Sequence, residues 1–252
     1  MLYICIPAYN EAPTIGVLLW RIRKTMEEFR REYELLVYND GSTDQTAETA
    51  ASYATVLPLT VLGGSARVGY ARAVEALMRT VAQRTRYARR DAVIVLQGDF
   101  TDLPEHLPEL VRRFEGGADI VATERASNDL TPIPERRFRK IAPWLLRPFV
   151  TIQGVKDPFS TYRLYRVAVV RDAIKAAGSS HLAQGEGWAA NVDFLLATMP
   201  HARRIESVEL APRYDIRPRP SRIRPLSDAM ALYRYGRTAR GRRGVVDAAG
   251  TT

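Results

Sequence analysis

Three short stretches carry side chains able to do polar chemistry, and each directly follows an apolar run. They are Pro7-Ala8-Tyr9-Asn10-Glu11, Asn39-Asp40-Gly41-Ser42-Thr43-Asp44 and Gln97-Gly98-Asp99, the last followed closely by Thr101. Ionised carboxylates only accept hydrogen bonds, and carboxamides supply a neutral oxygen beside an N–H donor. One such turn would mean little, because Asp-Gly and Asn-Glu are ordinary turn chemistry. Three of them at the carboxyl ends of strands in one parallel sheet predict a ligand site. Neither Gly-x-Gly-x-x-Gly nor a Gly-Lys-Ser/Thr loop occurs, which argues against nicotinamide dinucleotides and ordinary ATP hydrolysis.

Those turns need a scaffold, and the apolar pattern supplies one. Short runs at Leu2–Pro7, Leu35–Tyr38, Leu57–Leu62, Ala92–Leu96 and Ile120–Ala122 read as strands. Between them, Ala12–Arg31, Ser42–Tyr53, Gly69–Arg86 and Leu107–Phe114 show helical spacing, for example Ile15, Leu18, Leu19 and Ile22 on one face. This alternation predicts an α/β fold, a mostly parallel central sheet with helices on both faces. After about Glu124 the pattern changes. Residues 125–149 are rich in Arg and Pro and show no clear strand, and Thr161–Tyr165 and Glu206–Leu210 read as late strands with helices at Val167–Ala177 and Trp188–Met199.

Composition narrows the class. The chain has 252 residues, 46% hydrophobic and 26% charged, as expected for a globular domain rather than a disordered or fibrous chain. A single cysteine, Cys5, excludes an internal disulfide. No apolar run reaches the roughly 18 to 20 residues of a membrane span, and no basic leader precedes the first strand; a cytoplasmic location is the expectation. The net charge of +9 is concentrated between Arg213 and Arg243, where ten arginines face only Asp215 and Asp228. Such a block seeks phosphate in a nucleic acid, an anionic membrane or a diphosphate ligand. It lacks the aromatic interleaving or recognition helix of a base reader, so no nucleic-acid partner is expected.

The motifs resemble family 2 glycosyltransferases of the GT-A, Rossmann-like nucleotide-diphospho-sugar transferase fold. Ile6–Glu11 and Tyr38–Asp44 carry the general likeness. The stretch Asp157-Pro158-Phe159-Ser160-Thr161-Tyr162-Arg163-Leu164-Tyr165 is similar to the Asp-Pro-x-x-Gly-Phe-Arg-x-Tyr of dolichyl- and polyprenyl-phosphate sugar transferases, and Arg217-Pro218-Arg219-Pro220-Ser221-Arg222 to their Arg-x-x-Gly-Ser-Lys. The resemblance implies one domain over residues 1–225, with a nucleotide-sugar-binding half (1–124) and an acceptor half (125–225), followed by a basic helix or tail at 226–252.

It also implies roles. Pro7, Ala8, Tyr9, Asn10, Glu11, Asp40, Gly41 and Ser42 would hold the donor's nucleoside, with Gly69 and Arg72 opening the next helix. Arg67 stands where the family often has Asn. The family's metal motif Asp-x-Asp is here Gln97-Gly98-Asp99, so Mg2+ or Mn2+ would rest on Asp99, Gln97 and Thr101, with one carboxylate replaced by a carboxamide. Hard cations accept neutral oxygens. Arg125, Arg217 and Arg222 would neutralise donor and acceptor phosphates.

The resemblance then implies inverting, divalent-metal-assisted transfer from a nucleotide-sugar of the GDP-mannose or UDP-glucose class. Two acceptors are open. A polyprenyl or dolichyl phosphate is already ionised and needs no base; Ile141–Thr151, with Trp144, Leu145, Leu146 and Phe149, would then touch the inner face of the membrane peripherally, or else form a core helix interrupted by Pro143 and Pro148. A soluble hydroxyl acceptor, such as a secondary metabolite or cell-wall precursor, needs a general base, for which Asp157, Glu186 and Asp193 are the candidates. A further alternative, prompted by the altered triplet, is a protein that binds the donor without transferring it.

Overall fold

The computed structural model describes residues 1–126, 131, 133–211 and 225–244. In chain order the elements are β1 (Leu2–Ala8), α1 (Ala12–Phe29), β2 (Tyr33–Asp40), α2 (Thr46–Tyr53), β3 (Leu59–Gly64), α3 (Tyr70–Arg84) and β4 (Ala92–Val95). They continue with α4 (Leu107–Glu115), β5 (Ile120–Arg125), α5 (Ile133–Leu146), β6 (Thr151–Ile152), β7 (Arg163–Arg166) and α6 (Val167–Ala177). The last are α7 (Trp188–Thr198), β8 (Ile205–Leu210), α8 (Pro225–Thr238) and β9 (Arg243–Gly244).

Seven strands form one sheet in the order β3-β2-β1-β4-β7-β5-β8. Only β7 runs antiparallel to its neighbours, opposite both β4 and β5. Ile4 of β1 lies level with Leu35 and Ile94, so the middle of the sheet is aliphatic on both faces. That continuous burial explains why β1 and β4 read as unbroken apolar runs rather than alternating ones. Helices α1, α2 and α4 cover one face, where Ile15, Leu18, Leu19 and Ile22 of α1 meet Leu110 and Phe114 of α4. Helices α3, α6 and α7 cover the other. The chain winds outward in one direction through β2 and β3 and returns to β4 on the far side of β1. That reversal leaves a crevice above the carboxyl ends of β1 and β4.

A third apolar cluster lies outside the sheet. Phe138, Ala142 and Leu146 of α5, at four-residue spacing, meet Val192 and Leu196 of α7 and Leu232 and Tyr235 of α8. Residues 125–149, which showed no clear strand in the sequence, contain a 14-residue helix with Pro143 inside it. The core-helix alternative for this segment describes Ala142 and Leu146, whereas Ile141 and Trp144 face outward. The stretch expected as a basic helix or tail after residue 225 also contributes core: Leu232, Tyr235 and Ala239 are buried. No helix among the described residues is long and apolar enough to cross a membrane.

Candidate active site

A cavity of about 470 Å³ opens at the crevice, a volume suited to a small organic ligand. Ten of the expected residues line it: Pro7, Ala8, Tyr9, Glu11 and Asp40 from the first two strand ends, Gln97, Gly98, Asp99 and Thr101 beyond β4, and Arg125 at the end of β5. Asn10, Gly41, Ser42, Gly69 and Arg72 do not line it but build its walls. The Asn10 backbone N–H donates to Ser42 Oγ (3.1 Å), and Asn10 Oδ1 accepts from the Thr43 N–H (2.8 Å), which latches the first loop to the second. Gly41 sits at φ +65°, and a Cβ there would lie 2.8 Å from the Arg67 nitrogen; no other residue lets segment 65–67 approach so closely. Arg72 turns away from the expected donor role. It pairs with Glu75 (2.8 Å) and donates to the Ala183 carbonyl (2.9 Å), tying α3 to the loop before α7.

At the β2 end, the buried Asp40 carboxylate accepts from the backbone N–H groups of Val68 (2.6 Å) and Gly69 (3.0 Å). Arg67, with its Nε 3.7 Å from Asp40, lays its guanidinium 3.9 Å from the centre of the Tyr9 ring. Acid, cation and aromatic face make one corner, suited to a planar base and its ribose.

Beyond β4 the backbone turns sharply. Phe100 is buried with φ +66°, a conformation that costs a bulky residue about 1 kcal/mol or more. The turn lets Asp99 Oδ1 accept from the Thr101 N–H at 3.1 Å. Gln97, in the cavity lining, donates its amide to Thr161 Oγ1 (2.8 Å), and its carbonyl oxygen is an acceptor only. Thr101 Oγ1 is buried with no hydrogen-bond partner among the described residues. The described residues hold no cluster of three His, Cys, Asp or Glu able to cage a metal. One carboxylate, one carboxamide oxygen and one orphaned hydroxyl fit a hard cation carried largely by a ligand's phosphates. Just behind, Asp102 receives Arg125 at 3.0 and 3.2 Å. Burial pushes the Asp102 carboxyl above the usual carboxylate range, against the pull of Arg125.

The opposite wall comes from residues that sequence reasoning left without a role. Thr161 also accepts from Asn191 Nδ2 (3.1 Å), and Asn191 Oδ1 accepts from the Tyr70 hydroxyl (2.6 Å). Trp188 stacks near Phe159 (5.4 Å) and lies under the Arg139 guanidinium (4.8 Å). Tyr70, Arg139, Phe159, Thr161, Trp188 and Asn191 all line the cavity. A sequence signal existed for four of them: Phe159 and Thr161 stand in the Asp157–Tyr165 stretch, and Trp188 and Asn191 open an apolar helix directly after Gly185-Glu186-Gly187.

The three acidic base candidates separate. Asp157 is outside the lining; it pairs with Arg139 (2.6 Å) and accepts from the Phe159 N–H (3.1 Å). Asp193 is fully buried and also outside the lining. Its carboxylate accepts from the N–H groups of Gln184 (2.8 Å) and Gly185 (2.9 Å), the Tyr235 hydroxyl (2.6 Å) and Arg242 (2.5 Å). Only Glu186 reaches the cavity, beside Gly69 and within 3.3 Å of the Ala71 N–H. Arg163 is buried and donates to the backbone carbonyls of Pro158 and Asn191, so it clamps this wall from behind. Arg217 and Arg222 lie outside the described residues.

The profile of glycosyl transferase family 2 matches residues 3–173. An undecaprenyl-phosphate 4-deoxy-4-formamido-L-arabinose transferase of Proteus mirabilis is 31% identical over 148 residues, 59% of this chain and 42% of that protein. An uncharacterised glycosyltransferase of Bacillus subtilis is 29% identical over 123 residues, 48% of this chain and 36% of that protein. The matches to these curated relatives thus span less than half of their length. Among solved structures, glucosyl-3-phosphoglycerate synthase of Mycobacterium tuberculosis with phosphoglyceric acid superposes with TM-score 0.63 at 20% identity, covering 96% of this chain and 80% of that one. The S. aureus TarS fragment 1–349 with UDP gives TM-score 0.60 at 16% identity, covering 95% and 66%. At such identities these two likenesses speak to the fold, which is GT-A.

Proposed function

The chain belongs to glycosyl transferase family 2, and on that premise we propose that it moves a sugar from a nucleotide-sugar onto the phosphate of a polyprenyl phosphate. The observation that carries the reading is the meeting of three features in one cavity: the Tyr9–Asp40–Arg67 corner, the Gln97–Asp99 turn, and Arg125 and Arg139 beside the Trp188–Phe159 wall. The corner takes the nucleoside, of uridine or guanosine type. The turn faces the diphosphate. Arg139 meets the acceptor phosphate above an apolar wall that suits the first isoprene units. The names of the curated relatives, transferases acting on undecaprenyl phosphate, support this acceptor class.

In the proposed step an acceptor phosphate oxygen attacks the anomeric carbon, the bond from that carbon to the diphosphate oxygen breaks, and nucleoside diphosphate leaves. A single displacement inverts the carbon. A phosphate monoester is ionised near neutrality, so no base is required, in keeping with Asp157 and Asp193 being committed to structural partners. Arg125 and Arg139 line the cavity while paired with Asp102 and Asp157, so a bound phosphate would share their guanidinium groups with those carboxylates. Asp99, the Gln97 carbonyl and the Thr101 hydroxyl would hold Mg2+ or Mn2+, which when bound would offset charge on the departing diphosphate.

A second reading keeps the same donor and takes a soluble hydroxyl acceptor. It is favoured by Glu186, the one base candidate that lines the cavity. The test is thermal stabilisation by UDP-glucose and GDP-mannose with Mn2+ or EDTA, followed by transfer to undecaprenyl phosphate. A ligand at a hundredfold excess over its dissociation constant adds about 2.7 kcal/mol of stability. A metal-dependent shift with one donor and sugar transfer to the lipid are expected. No shift with any donor would sink both readings, and a donor shift with no transfer to the lipid, but transfer to a soluble hydroxyl acceptor that collapses on Glu186→Gln, would favour the second.

A further inference from the structure

A second cavity, of about 240 Å³, lies between α3 and α6. Its lining is Arg79, Ala82 and Gln83 of α3 with Arg171, Ile174 and Lys175 of α6. Three of these side chains are cations and none is an acid. It shares no lining residue with the candidate active site. Tyr70, which opens α3, lines the active-site cavity, and Arg79 stands nine residues further along that helix, a rise of about 14 Å.

Both guanidinium groups are already held in place. Arg79 Nε and Nη2 meet Glu75 Oε1 at 2.9 and 2.8 Å, and Nη2 also donates to the Ser180 carbonyl at 3.2 Å. Arg171 donates from Nε to the Ala82 carbonyl and from Nη2 to the Thr85 carbonyl, both at 2.7 Å, which leaves its Nη1 without a hydrogen bond among the described residues. Lys175 and Gln83 are exposed, and their side chains pair with no described residue. Among the described residues the acid paired with a lining cation is Glu75, and it divides its carboxylate among Arg72, Arg79 and His181.

We propose that this cavity binds a small phosphate-bearing anion, either the free ion or a phosphate monoester, at a site separate from sugar transfer. Ordered guanidinium groups beside an unpaired ammonium are a donor set that phosphate oxygens take, in a planar fork from arginine and at a point charge from lysine. The Gln83 amide adds a neutral N–H donor. Because the fold already orders the two arginines, their side-chain entropy is not lost again on binding. Fastening α6 to α3 accounts for the contacts of Arg171 with Ala82 and Thr85. It does not account for Lys175 and Gln83, which bring a third cation and a carboxamide to the same cavity without a partner.

The test is calorimetric titration of the full chain with inorganic phosphate, glucose 1-phosphate and chloride at matched ionic strength. Saturable binding of a phosphate species and none of chloride are expected. Lys175→Glu with Gln83→Glu should weaken that binding about tenfold or more, as befits the loss of a hydrogen bond to a charged group. Both positions are exposed, so the melting temperature without phosphate should stay that of wild type. Tighter binding of glucose 1-phosphate would assign the site to a phosphorylated small molecule, and tighter binding of phosphate to the free ion; either supports it. A response to phosphate no larger than that to chloride overturns the proposal. So does phosphate binding that survives Lys175→Glu with Gln83→Glu but is lost in Arg139→Gln, which would place the ion in the active-site cavity. Neither Lys175 nor Gln83 lines that cavity, so these outcomes are independent of the sugar-transfer reading.

Discussion

Asp193→Asn separates structure from catalysis more sharply than any other substitution in this chain. The Asp193 carboxylate, fully buried on α7, gathers two backbone N–H groups, the Tyr235 hydroxyl and the Arg242 guanidinium. An amide at this position keeps one acceptor oxygen and turns an NH2 group toward donors. Removing one partner of a buried charged network costs about 3 to 5 kcal/mol, and the partial exposure of Arg242 places the value toward the lower end. A loss of about 3 to 4 kcal/mol at 2–4 °C per kcal/mol lowers the melting temperature by roughly 6 to 16 °C for a domain of this size. Thermal denaturation followed by circular dichroism measures this directly. Tyr235→Phe should cost less, and the double variant should cost less than the sum because the two side chains touch. Donor binding should weaken in step with unfolding, since Asp193 itself lies outside the cavity lining. An Asp193→Asn protein with wild-type stability and no transfer would refute the argument and restore Asp193 as a base.

Further outcomes follow from the same geometry. Asp40→Asn removes the charge that two backbone N–H groups and Arg67 share, and should weaken donor binding about tenfold or more by calorimetry, since hydrogen bonds to charged groups contribute about 1.5 to 3 kcal/mol. Thr101→Val should leave stability in EDTA within about 0.5 kcal/mol of wild type, because no hydrogen bond is lost. Its effect should appear in the Mn2+-dependent part of donor binding; an equal effect with and without metal would exclude Thr101 from the metal site. Asp102 has a carboxyl raised by burial, so the folded state holds its proton to higher pH than the unfolded chain. Its contribution is therefore full in acid and lost as pH rises through the folded value. Urea midpoints should carry a downward slope just above the usual carboxylate range that is absent in Asp102→Asn.

The scaffold and half of the cavity were legible because they obey local rules. Apolar runs of strand length alternating with helical spacing fix the sheet and its two helical layers, and polar residues placed directly after β1, β2 and β4 converge wherever such a sheet folds. Pro7–Glu11, Asp40 and Gln97–Asp99 needed no tertiary information beyond that. The helix over residues 133–146 was hidden by its arginines and prolines, since its apolar face is only Phe138, Ala142 and Leu146 and makes sense only against α7 and α8.

What the tertiary structure alone decided is the fate of individual charges. In the sequence, Asp157, Glu186 and Asp193 are equivalent acids and Arg72, Arg125 and Arg139 equivalent cations. Folding buries Asp193 among four donors, spends Arg72 on Glu75, and keeps Glu186, Arg125 and Arg139 at the cavity, the two arginines paired with Asp102 and Asp157. The sequence carries the types and spacings of ionisable groups, which set what chemistry is available. Which of them faces a ligand depends on partners both near and far in the chain, such as Glu75 and Ala183 for Arg72, 3 and 111 residues away. A buried charge must find such partners or not be charged at all, and no local pattern states which ones it finds.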